Sequence, residues 1–241
     1  MDELKAFMNK LNIDGIEAKA NLLEQYMEGV LAWNEKVNLT AITDRDEFMQ
    51  KHLIDSLLCA ETLGFTEASS ICDVGTGGGF PGVPLAVCYP EKAFVLMDSL
   101  GKRVRIVQQL CDELGIRNVT AVHGRAEDLA RQSDYRDRFD LCVSRAVANM
   151  RVLCEYCMPF VRPGGHFIAY KGPDCESEIN DARNAIKILG GDAPEIRPLP
   201  HQDHSLVVVR KVQPTPDAYP RKAGIRRKSG PCPTWITAWS S

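Results

Sequence analysis

The sequence lacks long apolar segments. No run of about 18 apolar residues occurs in the 241-residue chain, so we expect no transmembrane helix and no membrane partner. The first residues, Met1 to Lys5, are charged and show no apolar signal core. The chain also has no internal repeat and no low-complexity tract. These absences favour a globular protein of the cytoplasm.

A second cysteine pair that could complete a zinc site with Cys154 and Cys157 is also missing. The nine cysteines are an odd number and are scattered through apolar segments, as Cys72, Cys88 and Cys142 illustrate. This distribution is typical of reduced, buried thiols. Because the Cys-x-x-Cys lies in a helical apolar pattern, we expect it to serve helix packing, and we predict no metal site.

The net charge of −3 is small, but the charges are unevenly distributed. Residues 1–70 are acidic on balance, whereas residues 210–228 hold seven basic residues and the single acid Asp217. A basic tail on a near-neutral body fits a polyanionic partner, and it equally fits a solvated terminus. Both interpretations stay open on the charge alone.

The apolar pattern predicts two helices followed by an alternation of strands and helices. The first helix covers 15–33, and Asp44 with Glu47 can cap the second. Alternating strands and helices predict a parallel sheet with right-handed crossovers. The linker between the last two strands is too short for a helix, so we expect an antiparallel hairpin. The predicted strands are 70–74, 93–97, 119–122, 139–144, 166–170, 195–199 and 205–209, and the helices between them include 102–114, 150–161 and 176–189.

The stretch 71–82 runs from an apolar strand through Asp73 and a glycine-dense turn into a helix that begins near Pro81. Glycine is needed where the backbone has positive φ or where a ligand approaches closely. Proline suits the first turn of a helix, where free N–H groups face a ligand. The stretch therefore predicts a nucleotide-cofactor loop in a Rossmann-like sheet.

Two cofactor classes fit this loop. Residues 77–82 satisfy G-x-G-x-x-G and Asp98 lies where a ribose-binding acid is expected, so a nicotinamide-dependent oxidoreductase is one reading. Asp73, however, would repel a pyrophosphate and attract a cofactor that carries an ammonium and a sulfonium. The chain also ends in a hairpin instead of a second βαβαβ half, and it shows no obvious hydride-transfer residues. S-adenosylmethionine fits better.

Several motifs resemble the bacterial 16S ribosomal RNA guanine-N7 methyltransferase family, RsmG, also called glucose-inhibited division protein B. The resemblance covers about residues 20 to 228, and residues 231–241 match nothing in that family. The motifs are WN at 33–34, NLTAI at 38–42, HLIDSL at 52–57, DVGTGGGFPG at 73–82, LMDSLGKR at 96–103, GRAED at 124–128 and SRAVA at 144–148.

This resemblance implies a class I S-adenosylmethionine-dependent methyltransferase of α/β fold. Its sheet is expected to have seven mostly parallel strands with a terminal antiparallel hairpin, preceded by helices. We expect an N-terminal helical lobe at 1–66, a methyltransferase domain at 67–212 and a basic tail at 213–241.

The implied reaction is methyl transfer to N7 of a guanine in the 16S rRNA of the small ribosomal subunit, by a monomer. N7 has a lone pair and no proton to lose, so no catalytic residue is expected beyond those that align the reactants, an effect of about 7–11 kcal/mol. Cys142 falls within a strand pattern, which argues against a cysteine nucleophile. A methyltransferase of the same fold that acts on a small molecule or a protein is the alternative.

The candidate site residues come from the loop, from the carboxyl ends of the strands and from the family motifs. Arg145 is also the candidate that orients the substrate. His52 and Asp55, one helical turn apart, are expected to share a local hydrogen bond, and Tyr26 is expected in the core. The predicted cofactor-binding residues are Asp73, Gly75, Gly77, Phe80, Asp98, Ala126, Glu127 and Arg145, and the predicted RNA-binding residues are Arg125, Lys171, Arg221, Lys222, Arg226 and Arg227.

Overall fold

The computed structural model describes residues 1–145, 147–172, 175–199 and 204–221. A π-helical turn (Met49–Ile54) and two 3-10 turns (Leu58–Glu61 and Met158–Phe160) accompany the regular elements. The helices are α1 (Asp2–Lys10), α2 (Ile16–Asn34), α3 (Arg45–Phe48), α4 (Asp55–Leu57), α5 (Leu63–Thr66), α6 (Gly82–Cys88), α7 (Gly101–Glu113), α8 (Ala126–Leu129), α9 (Met150–Cys157) and α10 (Glu176–Ile188). The strands are β1 (Ser70–Val74), β2 (Ala93–Asp98), β3 (Val119–His123), β4 (Phe139–Arg145), β5 (Val161–Lys171), β6 (Glu195–Pro198) and β7 (Ser205–Arg210).

The seven strands form one sheet in the order β3-β2-β1-β4-β5-β7-β6. Strand β1 is parallel to β2, with Ser70 opposite Ala93, and β2 is parallel to β3. Strand β7 is antiparallel to both of its neighbours, β5 and β6. The predicted mostly parallel sheet with a terminal antiparallel hairpin is therefore confirmed.

The chain divides into two compact units. The first comprises Met1–Arg125 and Val143–Arg145, and the second comprises Ala126–Cys142 and Ala146–Ser241. The domain boundaries expected from the sequence, after residues 66 and 212, remain predictions. None of the helices in the described residues is long and apolar enough to cross a membrane.

In the first unit, α2 packs against α6 and α7 through its apolar face. Leu23, Tyr26 and Val30 recur at intervals of three and four residues and are fully buried, as the apolar spacing predicted. Helix α1 was not predicted. Its signal was short, because only Leu4 and Met8 are buried among its nine residues.

The second predicted helix begins as expected, because Asp44 Oδ1 accepts a hydrogen bond from the Glu47 backbone N–H at 2.8 Å. It does not continue as a regular α-helix. The π-helical turn Met49–Ile54 intervenes between α3 and α4. Such turns are rare and frequently lie at functional sites, and this one carries His52.

In the second unit, α9 packs against α10 and β5. Cys154 and Cys157 are fully buried in α9, so the prediction that they serve helix packing is confirmed. Strand β5 begins at Val161, earlier than predicted, and runs through the glycines that the sequence suggested as a helix stop. Gly165 is needed within this strand, since a Cβ there would lie 2.4 Å from the Asp140 carbonyl oxygen.

Candidate functional site

The glycine turn between β1 and α6 depends on three residues with positive φ. These are Gly75 at 77°, Gly77 at 59° and Gly79 at 92°. The turn is tied to β2, because the N–H groups of Gly75 and Thr76 both donate to the Met97 carbonyl oxygen, at 2.8 and 3.1 Å. The glycines therefore hold a conformation that side chains with a Cβ rarely adopt.

Tyr26 supports this turn from α2. Its hydroxyl donates to the Gly78 carbonyl oxygen at 2.8 Å, and a Cβ on Gly79 would lie 2.2 Å from the same hydroxyl. Burial raises the pKa of Tyr26 well above its ordinary value, so the hydroxyl keeps its proton and remains a donor. The sequence predicted a core residue here and missed the hydrogen bond, which joins residues 52 positions apart.

Asp73, at the end of β1, is fully buried and only half satisfied. Its Oδ2 accepts hydrogen bonds from Thr76 Oγ1 at 2.7 Å and from the Gly82 N–H at 2.9 Å. Its Oδ1 has no hydrogen-bond partner among the described residues. Burial raises the pKa of Asp73 from 3.8 to about 6, against the effect of Thr76, Gly82 and Arg145. A buried carboxylate oxygen without a partner is costly, so Oδ1 is suited to a cationic or hydrogen-bond-donating ligand.

Asp98, at the end of β2, also holds the turn. Its Oδ2 accepts from the Gly77 N–H at 3.0 Å, and its Oδ1 accepts from the Leu100 N–H at 2.8 Å. A carboxylate can accept about four hydrogen bonds. Asp98 therefore keeps capacity for the hydroxyl groups of a ribose, which is the role that the sequence predicted for it.

Phe80 lies at the centre of an aromatic cluster in the first unit. The His52 ring stacks on the Phe80 ring at 4.5 Å between centroids, with 7° between the ring planes. Tyr26 and Phe48 approach the same ring edge-on, at 6.0 and 5.4 Å. Phe80 is only 5 % exposed, so the cluster fixes the position of the last residue before Pro81.

Arg145, at the end of β4, joins the helices of the first unit. Its Nη1 donates to Asp55 Oδ2 at 2.5 Å and to the Lys51 carbonyl oxygen at 2.9 Å. Its Nη2 lies 3.2 Å from His52 Nδ1, and its guanidinium lies 5.8 Å from the centre of the Phe80 ring. His52 and Asp55, expected to bond to one another, thus both contact Arg145.

The contacts of His52 define its protonation state. Burial, assisted by the charge of Arg145, lowers the pKa of His52 to about 4, so the ring is neutral near pH 7. Because Nδ1 accepts from Arg145, we assign the proton to Nε2, which then donates to Thr40 Oγ1 at 2.6 Å. Thr40 Oγ1 in turn accepts from the Ile42 N–H at 3.0 Å, so His52 orders the loop after α2.

The remaining predicted residues differ in their surroundings. Ala126 and Glu127 begin α8 in the second unit, and Glu127 is buried. Arg125 is exposed. The Lys171 ammonium donates to Glu178 Oε1 at 2.6 Å and to the Ala148 carbonyl oxygen at 2.8 Å, and Arg221 pairs with Glu155. Lys222, Arg226 and Arg227 lie outside the described residues.

The first unit fits S-adenosylmethionine better than a dinucleotide. Two carboxylates, Asp73 and Asp98, flank the glycine turn, and a pyrophosphate would be repelled by both. A sulfonium or an ammonium would be attracted to the open Oδ1 of Asp73, and ribose hydroxyls can donate to Asp98. No group of three or more His, Cys, Asp or Glu side chains in the described residues could hold a metal ion.

Solved structures place the chain in a class by its fold. An O-methyltransferase family protein from Burkholderia thailandensis matches with a TM-score of 0.55 and 12 % identity over 70 % of this chain and 58 % of that one. An S-adenosylmethionine-dependent O-methyltransferase from Thermotoga maritima matches with a TM-score of 0.52 and 16 % identity, over 78 % and 72 %. The fold is that of the class I S-adenosylmethionine-dependent methyltransferases.

Sequence relatives define the family within this class. Residues 19–207 match the family described as rRNA small subunit methyltransferase G. Proteins named ribosomal RNA small subunit methyltransferase G are 45 % identical in Clostridium kluyveri, over 91 % of this chain and 93 % of that protein, and 46 % identical in Alkaliphilus oremlandii, over 92 % and 95 %. The chain belongs to this methyltransferase family, and its cofactor is S-adenosylmethionine.

Proposed function

We propose that the protein transfers a methyl group from S-adenosylmethionine to N7 of one guanine in the 16S rRNA of the small ribosomal subunit, as a cytoplasmic monomer. The names of its relatives support the RNA substrate. The observation that carries the methyl-transfer half of the proposal is the buried carboxylate of Asp73, whose Oδ1 has no hydrogen-bond partner in the described residues, beside a turn of positive-φ glycines.

S-adenosylmethionine supplies a methyl group that is activated by its attachment to a sulfonium. In our proposal Asp73 binds the positively charged methionyl end, and Asp98 accepts hydrogen bonds from the ribose hydroxyls. Gly75 and Gly77 leave room for the cofactor against the backbone, and Phe80 lines the same side. Ala126 and Glu127 flank the adenine. The chain's residues thus bind and orient the cofactor and take no part in bond formation.

The acceptor chemistry asks for alignment rather than for proton transfer. Guanine N7 offers an in-plane lone pair and has no proton to remove. Accordingly, the one histidine near the turn, His52, is neutral and engaged with Thr40 and Arg145. Alignment of nucleophile, methyl and sulfur can contribute about 7–11 kcal/mol. We propose that Arg145, held by Asp55, orients the guanine through its guanidinium.

RNA contact requires both an accessible base and phosphate ligands. N7 of a guanine in an A-form helix lies in a deep, narrow groove, so the substrate base is unpaired or extruded. The exposed Arg125 and the basic residues Lys222, Arg226 and Arg227 are the proposed phosphate contacts. Lys171 and Arg221 would first have to exchange their glutamate partners for phosphate, as described in the previous section.

The test is transfer of a labelled methyl group from S-adenosylmethionine to 16S rRNA, free and in whole small subunits, from cells that lack this gene. We expect label at N7 of a single guanine and its loss in Asp73→Asn. Asp140→Asn is the matched control, because that carboxylate belongs to an ion pair with the half-exposed Arg162 in the second unit. Absence of label in either RNA sample, with cofactor binding intact, would contradict the proposal and favour a small-molecule or protein acceptor.

The role of Arg145 needs a double substitution. Arg145→Met alone would leave Asp55, which is 1 % exposed, with a buried charge and no guanidinium, so lost activity could reflect lost stability. Arg145→Met combined with Asp55→Asn removes both charges. We expect this variant to bind the cofactor and to lose methyl transfer. Full transfer by the double variant would exclude Arg145 as the residue that orients the substrate.

A further inference from the structure

Residues 212–221, which we call the strap, follow β7 and contain neither helix nor strand. A terminal segment without regular structure is usually poorly ordered unless other groups tie it down. The strap is tied down along its length by side chains of the second unit. Three of these side chains carry charges and are buried or nearly so: Lys211 and Glu155 are fully buried, and the side chain of Arg136 is 18 % exposed.

The first half of the strap is fixed at Thr215, which is 3 % exposed. Its hydroxyl donates to the Leu189 carbonyl oxygen at 3.0 Å and accepts from Lys211 Nζ at 2.8 Å. Its carbonyl oxygen accepts from Arg136 Nη2 at 2.7 Å. Both hydrogen-bonding groups of this residue are thus used to hold the strap.

The second half is held by two arginines and one glutamate. Arg136 Nη1 donates to the Tyr219 carbonyl oxygen at 3.0 Å, and Arg131 donates to the carbonyl oxygen of Pro220. These contacts lead the chain to Arg221, the last described residue of the strap.

Glu155 of α9 closes the strap. Its Oε1 accepts from the Arg221 backbone N–H at 2.6 Å and from Arg221 Nε at 3.1 Å, and its Oε2 accepts from Nη2 at 2.8 Å. A bidentate contact to the guanidinium combined with a contact to the backbone of the same residue fixes both the position and the direction of the chain at 221. The guanidinium is thereby directed to a protein carboxylate.

Immediately after this fixed point the sequence becomes strongly basic. Lys222, Arg226, Arg227 and Lys228 follow, and no Asp or Glu occurs between Arg221 and the last residue. Such a charge distribution matches a polyanion, and phosphates are the ligands of which RNA offers a continuous series. Residues 222–228, which we call the basic segment, thus start from a defined place on the second unit.

We propose that the Glu155–Arg221 pair is a positioning device, which sets the origin of the basic segment so that its cations meet the phosphates of the RNA substrate. The inference rests on the proposed function, since it takes RNA as the substrate. Arg221 is then an anchor, and the residues beyond it contact phosphate. Fixing one end of a charged segment raises its effective concentration at the RNA and lowers the entropy lost on binding.

The test is Glu155→Gln in the full-length protein. This substitution makes the protein one charge more positive and releases the guanidinium of Arg221 from its carboxylate, and both effects favour RNA binding electrostatically. If the pair positions the basic segment, RNA binding should nevertheless weaken, by about tenfold in KM. The kcat and the affinity for S-adenosylmethionine should stay within about twofold of the parent protein, since Glu155 plays no part in cofactor binding or methyl transfer.

A full-length variant with Lys222, Arg226, Arg227 and Lys228 all replaced by Gln supplies the matched background. Glu155→Gln should have no further effect on KM in this background, because there is no longer a basic segment to position. An equal loss in both backgrounds would assign the effect to general damage and overturn the inference. Tighter or unchanged RNA binding in Glu155→Gln alone would overturn it as well.

The design separates this inference from the proposed function. If the parent protein methylates neither free 16S rRNA nor small subunits, the proposed function itself fails. If the parent protein methylates RNA and Glu155→Gln leaves KM for RNA unchanged, only the positioning role fails. Asp140→Asn, which also removes one carboxylate of an ion pair in the second unit, controls for the change in net charge.

Discussion

Two fully buried carboxylates, one in each unit of the molecule, are used in opposite ways. Asp73 in the first unit has one oxygen bonded to Thr76 and Gly82 and one without a hydrogen-bond partner in the described residues. Glu155 in the second unit has both oxygens bonded to Arg221. The first carboxylate is left incomplete by the fold, and the second is completed by it.

This difference teaches how to distinguish a ligand site from a structural one when both contain a buried acid. A buried charge is stable only when it is paired. Glu155 finds its counter-charge within the chain, so it stabilises the fold. Asp73 does not find a full set of partners within the described chain, and its raised pKa records the cost of burial. The complement of Asp73 is therefore the cofactor.

Breaking the complete pair should give the largest loss of stability. Arg221→Ala leaves Glu155 buried without its guanidinium, and we expect the free energy of unfolding to fall by about 3–5 kcal/mol. Urea denaturation measures this change. Arg162→Ala is the control: its partner Asp140 is paired near the surface, with Arg162 49 % exposed, and the expected loss is about 0–1 kcal/mol. Equal losses for the two arginines would remove the distinction drawn here.

Neutralising the incomplete carboxylate should have effects of opposite sign on stability and on binding. Asp73→Asn removes a buried charge that lacks a full set of partners, so at pH 7 the free protein should be as stable as the parent or more stable. The affinity for S-adenosylmethionine should fall by about 1.5–3 kcal/mol, the value of a hydrogen bond to a charged group, which is about 10- to 150-fold. Calorimetric titration and thermal unfolding of the same samples test both signs. Unchanged affinity would show that Asp73 is not a cofactor ligand.

The raised pKa of Asp73 predicts a pH dependence that Glu155 does not share. Between the unfolded value of 3.8 and the folded value of about 6, the folded protein holds a proton that the unfolded chain has lost, so this group stabilises the free protein at low pH and the contribution is lost as the pH rises through 6. Cofactor binding has the opposite dependence, because a positively charged ligand requires the ionised form.

We therefore expect the affinity for S-adenosylmethionine to fall by up to about tenfold per pH unit below pH 6, with proton release on binding. Calorimetry between pH 5 and about 8 in buffers of different ionisation enthalpy measures both quantities. Asp73→Asn is the control, and its affinity should lack this dependence. The same pH dependence in the variant would assign the titration to another group.

The smallest effect should come from the support of the turn. Tyr26→Phe removes a buried hydroxyl and leaves the Gly78 carbonyl oxygen without that donor, which should cost about 1 kcal/mol of stability. Cofactor affinity should fall by less than it does in Asp73→Asn, because the ligand contacts are intact. Urea denaturation and calorimetry check the two expectations. A larger effect on cofactor affinity than that of Asp73→Asn would place Tyr26 in the site itself.

Much of the fold was predictable because its signals are local. The five strands from β1 to β5 and the hairpin followed from short apolar runs and the residues that end them. The glycine turn, Asp73 and Asp98 followed from their positions at strand ends. Helix α1 was missed because its apolar signal is only two residues, and β5 was predicted too short because Pro163, Gly164 and Gly165 were read as a helix stop.

The sequence by itself determined the order of the elements, the cofactor loop and the family. The tertiary structure alone decided which side chains complete one another. Tyr26 meets Gly78 across 52 positions, Arg145 meets Asp55 across 90, and Arg221 meets Glu155 across 66. Periodicity and turn chemistry depend on neighbours within a few residues, whereas the pairing of a buried charge depends on which distant residue the folded chain brings beside it. For that reason the open oxygen of Asp73 and the closed pair at Glu155 could be distinguished only in the structure.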